Sequence, residues 1–137
     1  MRMQNWDARV VGWAESVLGQ PFVWGKTDCA MNVRALSRAL YGRDVFKVET
    51  WKSKVKALRL LTEKGGLQVA LAQVAHPIGR GFATTGDVAL MPDKGLAASL
   101  LVVVEQKAVA ATPGKPLQFV ALSSLPPDTQ FWRLDVH

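Results

Sequence analysis

The period of the apolar residues changes near Gly86, and this change restricts the fold more than any other feature of the chain. Upstream of it, apolar side chains recur every three or four residues. Trp6, Val10, Trp13 and Val17 form one such stripe, which predicts an amphipathic helix. Asn5 stands at its N-cap position, and Gly19 followed by Pro21 stops it. A second stripe of Cys29, Val33, Leu36 and Leu40 predicts a helix over 28–41, capped by Thr27 or Asp28 and ended by Gly42. A third helix is expected from about Thr50, with Trp51, Val55 and Leu58 facing inward and Gly65-Gly66 as its stop. A short helix follows with Leu67, Ala70, Leu71 and Val74, and residues 76–85 read as loop around Pro77, Gly79 and Gly81.

Downstream of Gly86 the pattern is one of short apolar runs bounded by turns. Strands are expected over 87–91, 97–104, 108–112, 117–122 and 129–136. The run over 97–104 is apolar on both faces at its centre, which suits a buried central strand. Hairpin-length connections imply an antiparallel meander. Helices first and strands afterwards define the class as α+β. At 137 residues the chain fits one domain, with a helical part over about 5–75 and a sheet part over about 86–136.

Charge is distributed unevenly. The formal net charge is +6. Residues 34–64 hold nine Lys/Arg against Asp44, Glu49 and Glu63, so this segment alone carries that excess, and the remainder balances at eight basic and eight acidic residues. Arg43, Lys47, Lys52, Lys54, Lys56 and Arg59 make a basic interface candidate. A solvated helix face explains the same residues more simply. Nucleic acid is not the expected partner, because only Tyr41, Phe46 and Trp51 interleave the charges and no recognition motif accompanies them. No apolar run is long enough to span a bilayer. The start, Met1-Arg2-Met3-Gln4-Asn5, lacks the apolar stretch of a signal peptide.

One cysteine and two histidines leave too few soft ligands for a zinc site, so no metal or cofactor is expected. That cysteine is nevertheless the most informative residue. In Trp24-Gly25-Lys26-Thr27-Asp28-Cys29-Ala30 it falls in the first turn of a helix, behind a glycine-containing loop. Amide groups and the helix dipole favour a thiolate there, and a thiolate is the nucleophile of cysteine peptidases. A buried structural cysteine on the face of Val33 and Leu36 accounts for it equally well. Trp24 either walls a cleft beside Cys29 or packs structurally. Asp87 reads as a hydrogen-bond acceptor where its strand begins, and Asp28 as a helix cap.

Four features carry a resemblance that covers nearly the whole chain. They are the Trp-rich first helix before Gly19-Gln20-Pro21-Phe22-Val23-Trp24-Gly25, the Asp28-Cys29 pair, the Gly86-Asp87-Val88 step, and Leu125 followed by Phe131-Trp132-Arg133. With these the chain resembles the NlpC-like, papain-related cysteine peptidases, and more closely a branch of small proteins from the tail gene clusters of bacteriophages and prophages. The resemblance implies that Cys29 occupies the nucleophile position. The family's histidine base belongs at the start of the second strand, where this chain reads Gly95-Leu96-Ala97-Ala98-Ser99-Leu100. The third polar residue belongs on the following strand, where only Thr112 is available. His76 stands elsewhere and is the one residue that could substitute as base, and His137 is the last residue. A cysteine hydrolase without its base loses about 10²–10⁴-fold in proton transfer. The resemblance therefore implies a tail-tip or hub structural or assembly protein with a peptidase-like fold. It would be made in the host cytoplasm and built into the virion tail in several copies, with other tail and hub proteins as partners. The alternatives are an active cysteine hydrolase cleaving peptidoglycan peptides during infection, and a nucleic-acid-binding module.

Overall fold

A computed structural model describes residues 1–46, 66–91 and 99–136 of the chain. Three α-helices fall within them: α1 (Trp6–Val17), α2 (Cys29–Tyr41) and α3 (Leu67–Ala72). Six strands follow: β1 (Ala75–Ile78), β2 (Asp87–Met91), β3 (Ser99–Val104), β4 (Lys107–Ala110), β5 (Gln118–Ala121) and β6 (Gln130–Leu134). All pair antiparallel in one sheet of order β1-β6-β2-β3-β4-β5. The α+β class follows directly, with helices N-terminal and strands mostly C-terminal. The helix expected from Thr50 lies outside the described residues, as do the turn after Met91 and His137.

The two long helices form where their periodicity predicts. In α1, Val10 and Ala14 are fully buried and Trp6, Trp13 and Val17 pack at the margins. Asn5 does stand at the N-cap, but in the left-handed region with φ 59° and without a side-chain hydrogen bond to the helix. The expected cap is thus only positional. In α2 the buried set spans Ala30, Met31, Val33, Leu36, Ala39 and Leu40, a wide apolar stripe sandwiched between α1 and β3. Gly42 ends it at φ 75°, a backbone state cheap only for glycine.

The sheet carries a core on each face. Val88, Leu90, Leu100, Val102, Trp132 and Leu134 face the helices. The alternating residues Ala89, Leu101, Val103 and Phe131 join Leu122 and Leu125 on the other side. This two-sided burial explains why β3 reads as a continuous apolar run. Each fully buried Val or Leu contributes about 1.5–3 kcal/mol relative to exposure, so β3 and its neighbours anchor the domain.

Two expectations need correction. Residues 75–78 form β1, where a loop is expected from the sequence. Pro77 suppresses the strand signal but is tolerated because β1 is an edge strand. The meander also holds only for β2 to β5. The chain then crosses back, and β6 inserts between β1 and β2. The returning segment is held by Arg80, which donates to the carbonyls of Leu122 at 2.8 Å, Leu125 at 2.9 Å and Pro126 at 3.0 Å. A side chain far upstream thus fixes a connection whose length alone does not reveal its path.

Candidate functional site

The loop before α2 is built by its polar residues. Thr27 Oγ1 accepts from the Val23 amide and donates to the Pro21 carbonyl, both at 2.8 Å. Gly25, at φ 81°, turns the chain so that its amide reaches Asp28 Oδ2 at 2.6 Å. Asp28 Oδ1 accepts from the Met31 amide at 3.0 Å. One buried carboxylate therefore closes the loop and caps the helix, which explains the Trp-Gly-x-x-Asp spacing in structural terms. The loop is docked beside β5 by two backbone hydrogen bonds: the Gly19 amide donates to the Leu117 carbonyl at 2.8 Å, and the Leu117 amide donates to the Gln20 carbonyl at 2.9 Å. Trp24 stacks edge-on against Phe22, with centroids 4.8 Å apart, at the margin of the main core.

Cys29 is the first residue of α2 and lies against β3, where the Leu100 backbone hydrogen-bonds to its thiol. The helix N-terminus does not activate it. Burial pushes the thiol up to about 11, and the adjacent Asp28 carboxylate adds to the rise. The backbone amides of Leu100, Ala30 and Cys29 itself pull the other way without prevailing. The thiolate favoured by helix position alone is thus overridden. Asp28 already takes the Met31 amide, and it brings its own negative charge to the thiol.

His76 is not brought to Cys29. It sits on β1, three strand spacings from β3, and is paired in register with Arg133, whose other neighbour is Asp87. Leu100 is at the opposite rim of the sheet, so the separation is roughly 17 Å from strand geometry. His76 Nδ1 lies 3.7 Å from an Asp135 carboxylate oxygen instead. Thr112 is exposed in the turn after β4, where its carbonyl accepts from the Lys115 amide. Among the described residues no imidazole faces the thiol, and no group of three or more His, Cys, Asp or Glu is placed to hold a metal ion.

The basic segment is described only where it begins. Arg34 and Arg38 both hold Asp44, with Arg34 Nε and Arg38 Nη2 each 3.0 Å from Oδ2. The Arg38 hydrogen bond is the foremost reason that the Asp44 carboxyl is held below its ordinary range. These two guanidiniums fasten the turn after α2, while Arg43 is exposed. Lys47, Lys52, Lys54, Lys56 and Arg59 lie outside the described residues.

A further arrangement joins two distant segments of the chain. Asp87, 1% exposed, receives Arg133 Nε at 3.0 Å and Nη2 at 2.9 Å, together with the Thr84 amide at 2.9 Å. The Gly-Asp-Val and Phe-Trp-Arg segments are therefore two halves of one clamp closed on the buried Asp87 carboxylate. A lone acidic residue opening one strand and a lone arginine near the end of another were the available signal. Gly86 belongs to the same corner: at φ 93°, a Cβ there would come within 3.0 Å of the Trp6 ring.

Residues 1–133 match the family described as Domain of unknown function (DUF6950). The chain belongs to this family. Its description states no activity, and a search of curated proteins gave no match. The clamp, the capped loop and the partly buried Cys29 all fall within the matched region of this DUF6950 member. No described helix is long and apolar enough to cross a membrane.

Proposed function

We propose that this DUF6950 protein is a structural or assembly component of a bacteriophage tail tip or hub, with a peptidase-like plan that no longer performs peptidase chemistry. The observation that carries the loss of chemistry is Cys29. Its thiol is pushed up to about 11 by burial, and His76 stands across the sheet on β1. A cysteine hydrolase needs a thiolate near neutral pH and an acid for the leaving amine, and this site favours neither. The tail assignment rests on the resemblance of the Trp-Gly-x-x-Asp-Cys, Gly-Asp-Val and Phe-Trp-Arg segments. What those segments do here supports a scaffold: each spends its polar groups on closing the fold. The basic excess of residues 34–64 in the sequence suits an acidic neighbouring subunit. Mass spectrometry of purified virions and of tail intermediates from the phage or induced prophage that carries the gene is the test. The protein is expected in tails at several copies. Its absence from both preparations overturns the reading.

A further inference from the structure

We draw no further inference here: the strongest candidate, the depression at the end of β1 lined by Pro77, Ile78, Phe131, Trp132 and Thr129, carries none, because Pro77 and Trp132 stand on the opposite face of the sheet from Ile78 and Phe131, the unpartnered Thr129 hydroxyl is itself buried, and nothing in the structure shows what would fill it.

Discussion

At pH 7.5 a thiol pushed from an ordinary 9.0 to about 11 holds about a hundredfold less thiolate than an unburied cysteine, because each pH unit of displacement is a factor of ten. The rarer thiolate is also more basic, and intrinsic nucleophilicity rises with basicity at a Brønsted slope of about 0.4–0.5. Two pH units at that slope return roughly eightfold. Ionisation alone therefore predicts that Cys29 reacts with iodoacetamide about tenfold more slowly in the native protein than in denaturant, and its packing against β3 slows it further. The assay is pseudo-first-order alkylation followed by intact mass, from pH 6 to 10, with and without denaturant. The native rate should keep climbing beyond pH 9 without levelling. A native rate equal to or above the unfolded one, or a plateau below about pH 8.5, would refute this reasoning. It would mean that the helix N-terminus outweighs burial, and the hydrolase reading would recover.

Four variants test the polar groups that close the fold. Asp28→Ala strips the acceptor from the Gly25 and Met31 amides and should cost about 1–2 kcal/mol by urea unfolding; a change within error would show that the cap is decorative. Asp28→Asn should keep part of that stability and move Cys29 alkylation towards lower pH, since the charge that raises the thiol is gone. Arg133→Met leaves the buried Asp87 carboxylate with the Thr84 amide alone and should cost about 3 kcal/mol, the lower end for an orphaned buried charge, because Arg133 itself is 37% exposed. Adding Asp87→Asn to Arg133→Met should restore part of that loss, and a loss under about 1 kcal/mol in the single variant would deny the clamp its role.

The readable parts of this fold are those in which one residue type meets one local requirement. The stripe of α2, its Asp28 cap and its Gly42 stop are local, so period and capping chemistry place them. The doubly apolar β3 announces its central position because both faces are covered. What the sequence hides depends on distant partners. Pro77 looks like a loop residue until β6 supplies its neighbour Trp132. The crossing of β6 past the meander depends on Arg80 reaching three carbonyls more than forty residues away. At the site, the position of Cys29 was legible but its chemistry was not. Helix position is local, whereas desolvation comes from α2 packing onto β3.

The same contrast bears on the chemistry open to a cysteine at a helix N-terminus. A nucleophile at a helix N-terminus needs open amides and water; a cap needs a carboxylate that fills those amides. In this chain Asp28 takes the Met31 amide and raises its neighbour's thiol, so the residue that stabilises the helix also quenches the cysteine. The amides that still reach the thiol do not offset its burial, and the Met31 amide has gone to the cap. At the other rim Arg133 likewise commits Nε and Nη2 to the buried Asp87 carboxylate, so the polar groups at both rims serve the fold.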